Sequence, residues 1–181
     1  MKNGVNFDFF GTGNRIRVSW TDKDSGNAWL VLDRNNNGLI DNAREMFGNL
    51  TPQPPSPNPN GFLALAVFDR PENGGNSDGL IDPRDTIYAR LRLWIDENHN
   101  GVSEPDELFT LPQKDVQSIS LHYQRSDYVD EFGNRFRYKS TFHGTAQSSI
   151  DRVLYDVFLV FSAKPVRLKG AAVNVGRTGS Q

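Results

Sequence analysis

Residues 96–107 read DENHNGVSEPDE, and the rest of the chain is organised around this stretch. Asp96, Asn98 and Asn100 place side-chain oxygens at loop positions 1, 3 and 5. Gly101 permits a sharp turn at position 6, the Val102 carbonyl serves at position 7, and Glu107 stands at position 12. A hard cation takes roughly six to eight oxygens at about 2.3–2.6 Å, and a loop turning back over one ion delivers them at this spacing. The spacing predicts a calcium site. An Asn/Asp/Gly-rich surface turn accounts for the first six residues, but not for a Glu six residues beyond the glycine.

A second copy lies upstream. The apolar run 28–33 (AWLVLD) feeds into Asp33, Asn35, Asn37, the Leu39 carbonyl and Asp41 at positions 1, 3, 5, 7 and 9. Position 12 is Arg44, which cannot ligate a cation, so Glu45 is expected to close this loop one residue late. WLVLDRNNNGLIDNAREMF and LRLWIDENHNGVSEPDELF align as an internal repeat of strand, oxygen-rich loop and short helix. A third loop is irregular. Asn76, Asp78, the Leu80 carbonyl, Asp82 and Asp85 fit positions 3, 5, 7, 9 and 12, but position 1 falls on Gly74, and Asp69 comes five residues early, ahead of the insert RPENGG. Three arrangements are open: Asp69 reaches over the insert, a backbone oxygen substitutes, or the site is weak. Ile40 and Ile81, both at position 8, are expected to bridge two loops. Asp8 begins a worn loop, with Phe10 and Thr12 where oxygen-rich side chains belong.

Around the loops, residues 5–10 and 15–20 alternate like two strands of a hairpin. Residues 51–60 (TPQPPSPNPN) hold five of the ten prolines and read as a stiff solvated loop, with a polyproline ligand as the other reading. Asn60 is placed to cap a helix over GFLALAVFD, and Pro83 suits the first turn of a helix through RDTIYARL. From 116 the period changes to two: VQSISLHY and FRYKSTF, joined through DEFGN, and VLYDVFLVF read as strands. The last is apolar on both faces, which suits a central strand. The expectation is an α+β fold, with short helices after calcium half-hands and an antiparallel sheet formed largely by the C-terminal segment. Residues 1–163 form one domain and 164–181 a basic tail.

A formal charge of −2 argues against a nucleic-acid or anionic-membrane partner. With no cysteine, thiolate metal sites and cysteine nucleophiles are excluded. No apolar run approaches the roughly 18 residues of a membrane span. His99 occupies a solvent-facing loop position, and His122 and His143 lack a third ligand for zinc.

Taken together, V-x-F-D…W-x-V-L-D-R-N-x-N-G-x-I-D…E-M-F-G-N, then G-F-x-A-L-A-x-F-D…G-N-x-D-G-x-I-D, then L-R-L-W-x-D-x-N-x-N-G-x-S-E, over about residues 5–161, resemble the EF-hand-like calcium modules of large secreted bacterial proteins, RTX-type proteins among them. Part of that family processes itself, cutting an Asp-Pro bond at the module's N-terminal edge and passing the aspartyl group to a lysine. In those relatives an Asp-Pro and an acidic segment precede this region, whereas the present chain opens at MKNGVNFD and its Asp82–Pro83 lies inside the irregular loop. The resemblance implies calcium binding and an extracellular setting within a larger exported protein. The expected function is a non-enzymatic module stabilised by two or three Ca2+, with calcium-dependent Asp-Pro self-processing as the alternative and an adhesion module as a third reading. Its partners are calcium ions and either other domains of a parent chain or a protein or surface ligand.

Overall fold

The computed structural model describes residues 3–145 and 152–162; the expected tail at 164–181 lies outside them. The chain begins with a hairpin, β1 (Gly4–Phe7) antiparallel to β2 (Ile16–Ser19), as the alternation predicts. β3 (Trp29–Val31) leads into the first loop. Asn60 accepts a hydrogen bond from the Leu63 amide and caps α1 (Gly61–Ala66). Then follow β4 (Leu80–Ile81), β5 (Arg92–Trp94), β6 (Leu108–Thr110), β7 (Ser118–Ser120), β8 (Gln124–Val129), β9 (Arg135–His143) and β10 (Arg152–Phe158).

The α+β expectation fails. Among the described residues, ten strands form three sheets, against one α-helix of six residues. The segments after the loops make only three-residue 3-10 turns, Ala43–Glu45 and Pro105–Glu107. Each must return at once to extended backbone: Met46 bridges Val31, and Leu108 pairs with Trp94. A helix needs more residues than this to offset the cost of its first turn. RDTIYARL likewise makes turns, closed by Tyr88 N–H to Asp85 O at 3.0 Å and Arg90 N–H to Ile87 O at 2.9 Å.

The three-stranded sheet β3-β5-β6 lies between two cores, because successive side chains of a strand point to opposite faces. Val31 and Trp94 face one cluster, with Val5, Phe7, Val18, Trp20 and Met46. Leu30, Leu32 and Leu93 face the other, with Leu65, Ile81, Leu91, Leu111 and Ile119. A sheet covered on both faces reads as continuous apolar runs, which accounts for WLVL and LRLW preceding the two regular loops.

The five-stranded sheet runs β10-β9-β7-β4, with β8 also on β9. Two expectations change here. DEFGN joins β8 to β9, and β10 is an edge strand rather than a central one, its Val153 and Tyr155 exposed while Asp156 points inward and is buried.

Candidate metal centre

The three loops share one backbone trace. In the first, the Asp33 carboxylate accepts from the Asn37 N–H (3.2 Å) and the Gly38 N–H (2.8 Å). In the last, Asp96 accepts from the Asn100 N–H (3.0 Å) and the Gly101 N–H (2.9 Å). Position 4 is left-handed in every loop (Asn36 φ 58°, Ser77 φ 58°, His99 φ 60°), as is the position 6 glycine (Gly38 φ 84°, Gly79 φ 81°, Gly101 φ 70°). Left-handed residues at positions 4 and 6 fold the chain back over the position 1 carboxylate, and at position 6 glycine bears this without strain. Side-chain oxygens then pin the following residues: Asn37 Oδ1 accepts from the Leu39 N–H, Asn100 Oδ1 from the Val102 N–H and Asp78 Oδ1 from the Leu80 N–H. The Asp8 turn has the same trace, its carboxylate holding the Thr12 and Gly13 N–H groups, but with Phe10 at position 3 it lacks the oxygens.

In the irregular loop Asp69 packs across the insert against residues 77–79: its carboxylate accepts from the Gly79 N–H at 3.0 Å and its carbonyl from the Ser77 N–H at 2.7 Å. Pro71–Asn73 turn as a 3-10 helix and return Gly75 against Asp69. A Cβ at Gly75 would stand 2.2 Å from the Asp69 carbonyl carbon, so only glycine permits this approach.

Closure is by a buried carboxylate in each loop. Glu107 accepts from the Glu97 N–H (3.0 Å), the Glu104 N–H (3.4 Å) and the Trp94 indole (3.2 Å). Glu45 covers the same loop positions, 2 and 9, through the Arg34 N–H (3.0 Å) and the Asp41 N–H (2.7 Å). It comes one residue late because its 3-10 turn is capped by Asn42 at position 10, whereas Glu104 caps the other at position 9. In the third loop Asp85 accepts from the Asp82 N–H at 2.8 Å.

The position 9 carboxylates meet donors from inside their loops. Asp41 takes the amide groups of Asn35 (3.0 Å) and Asn37 (2.7 Å), and Glu104 takes that of Asn100 (2.8 Å). Glu104, at position 9, is absent from the ligands expected from the sequence, although position 9 is assigned to Asp41 and Asp82 in the other two loops. The Asn100 hydrogen bond holds the Glu104 carboxyl below the usual carboxylate range, and burial pushes Glu107 up. Asp82 is held low, chiefly by its hydrogen bond with Arg84, whereas burial raises Asp85, with the charges of Asp69, Asp82 and Asp78 adding to it.

Oxygen donors without protein partners test whether these residues suit a cation. Asp69 Oδ1, Asp85 Oδ1 and Glu104 Oε2 are buried and accept no hydrogen bond from the described residues, an expensive condition for a carboxylate. A hard cation would complete all three. Against this, among the described residues no three His, Cys, Asp or Glu side chains are arranged to hold a metal. The loops rely on Asn oxygens and carbonyls, and their carboxylates are turned toward main-chain N–H groups. The residues therefore fit an oxygen-seeking ion by type, with ligation requiring those carboxylates to turn.

Residues 1–159 match the model of the SPM domain. The chain belongs to the SPM domain family. Over 132 residues, 72% of its length, it is 38% identical to the iron-regulated protein FrpA of Neisseria meningitidis serogroup C, and the match spans 11% of that bacterial protein. Within this SPM domain, no helix among the described residues is long and apolar enough to cross a membrane.

The two regular loops touch at position 8, though not as expected. The Ile40 N–H donates to Ser103 Oγ at 2.7 Å, while Ile81 pairs with Ile119 instead. Both Ile40 and Ser103 are buried. Ser103→Ala leaves the Ile40 N–H unpaired and is expected to cost about 1–3 kcal/mol, read by urea unfolding. An unchanged midpoint would show that the contact contributes nothing.

Proposed function

We propose that this SPM domain is a calcium-binding structural and interaction module of an exported, RTX-related bacterial protein, in which two or three Ca2+ lock the loops and so the fold. The observation that carries the reading is the repeated trace: a position 1 carboxylate holding the position 6 amide, left-handed backbone at positions 4 and 6, and a buried carboxylate closing each loop. In the first loop Asp33, Asn35, Asn37, Leu39, Asp41 and Glu45 would hold the ion. In the third-loop set these are Asp69, Asn76, Asp78, Leu80, Asp82 and Asp85, and in the last Asp96, Asn98, Asn100, Val102 and Glu107, with Glu104 added. The ion would supply charge neutralisation and loop order.

Ligand binding only to the folded state stabilises by about 2.7 kcal/mol per site at a hundredfold excess over Kd. For a chain of this size that is about 5–10 °C per filled site. Metal-stripped protein melted with millimolar calcium, with magnesium as control, is expected to show a calcium-selective rise of this order. No rise would sink the proposal.

Self-processing at Asp82–Pro83 has less support, because both Asp82 oxygens accept from Arg84 (3.0 and 3.1 Å from Nε). Intact mass after incubation with calcium is expected to be unchanged; a break after Asp82 would favour the enzymatic reading.

A further inference from the structure

Four carboxylates crowd the third loop. Asp69, Asp82 and Asp85 are only 8%, 8% and 3% exposed, and among the described residues Asp69 and Asp85 each keep one oxygen without a partner. Asp82 and Asp78 are bridged by one guanidinium: Arg84 Nη2 contacts Asp82 Oδ2 at 2.5 Å and also meets Asp78 Oδ2, while its Nε lies within 3.1 Å of both Asp82 oxygens. In the other two loops the position 9 carboxylate is held by neutral amides, those of Asn35, Asn37 and Asn100.

The difference is chemical. A carboxamide that donates its NH2 can turn about its last torsion and offer its oxygen to an incoming ion. A guanidinium has five N–H donors, no acceptor, and a fixed positive charge, so it must leave. Resting on the calcium reading above, we propose that Arg84 is a built-in competitor for the third loop. Its guanidinium occupies Asp78 and Asp82 in the ion-free protein and is displaced when calcium enters. The third loop therefore fills last, at a calcium concentration set by this exchange.

The position 6 glycines report each loop separately, since the Gly38, Gly79 and Gly101 amides donate to Asp33, Asp69 and Asp96. Calcium titration of 15N-labelled protein is expected to move Gly79 at higher calcium than Gly38 and Gly101. Arg84→Ala should lower the Gly79 midpoint by about twofold to thirtyfold, the range two ion pairs made by a largely exposed guanidinium can contribute, and leave the other two in place. Arg84→Lys keeps the charge without the fork and should fall between. Arg70→Ala removes a charge near the loop that is paired with Glu72, at 3.9 Å, and should change nothing. An unmoved Gly79 midpoint in Arg84→Ala, or an equal drop in Arg70→Ala, overturns the inference. If Gly38 and Gly101 titrate but Gly79 does so in no variant, the third loop is no site and the inference falls while the calcium reading stands. If no glycine responds, the calcium reading itself falls.

Discussion

Glu107→Ala is expected to lower stability by about 3–5 kcal/mol even without calcium, because the change strands several donors in a dry interior. Glu107 is 4% exposed and accepts from the Glu97, Asn98 and Glu104 main-chain N–H groups and from the Trp94 indole. Trp94 is itself fully buried against Phe7 and Trp20, with ring centroids 5.8 and 5.3 Å away, so the loss reaches from the loop into the first core. Urea unfolding followed by tryptophan fluorescence measures it. Glu107→Gln separates two roles: it keeps one oxygen for the main chain, and so costs less, but it cannot close an ion with two charged oxygens. Calcium should then give a smaller Tm rise than in the unsubstituted protein. If Glu107→Ala unfolds at the same urea concentration as the original, the closing role assigned to this carboxylate is wrong.

Asp156→Asn is expected to act in the opposite sense. Asp156 is 5% exposed, accepts from the Gly61 N–H at the start of α1 at 3.0 Å, and leaves Oδ2 buried without a partner. Burial pushes its carboxyl up to about 6, with the Gly61 hydrogen bond and the Arg137 charge opposing. Because the folded value lies above the unfolded one of 3.8, the native state prefers the protonated form. The group's stabilising contribution is complete below about pH 4 and is lost as pH rises through about 6. At about 1.36 kcal/mol per pH unit the full swing is about 3 kcal/mol. Asparagine keeps the acceptor for Gly61 and carries no charge. The variant should match the original near pH 4 and exceed it by about 1–3 kcal/mol at pH 8, compared by urea unfolding at both values. A difference that does not vary with pH would refute the account.

The loops were legible because their side chains and their backbone demand the same residues: Asp at the turn's start, Asn to pin it, and Gly where φ is positive. Asn60 as a helix cap and the β1-β2 hairpin were legible for similarly local reasons. What escaped was set by distance. That Asp69 serves the irregular loop depends on Gly75 packing against its backbone, a contact across the insert that spacing alone does not reveal. β8 carries no alternation, since QRSDYV is exposed at nearly every position and is held by main-chain pairing to β9. The helices were over-read because a half-hand calls for one after each loop and Pro83 suits a first turn, whereas the chain is taken up by a strand directly after AREM, and RDTIYARL closes into separate turns.

The path of the chain at its two described ends has a mechanical consequence. The Trp20 N–H donates to Asn3 O where the chain enters beside β2. Residues 160–162 return along the other edge of β2, through Ser19 N–H to Val160 O and Ser162 N–H to Arg17 O, both at 2.8 Å. Both flanking segments run antiparallel to β2, and therefore parallel to each other. Tension drawn between Asn3 and Ser162 pulls them in opposite directions along that central strand. Their hydrogen bonds are then loaded together in shear instead of being peeled one after another, and β2 becomes the clasp that resists stretching.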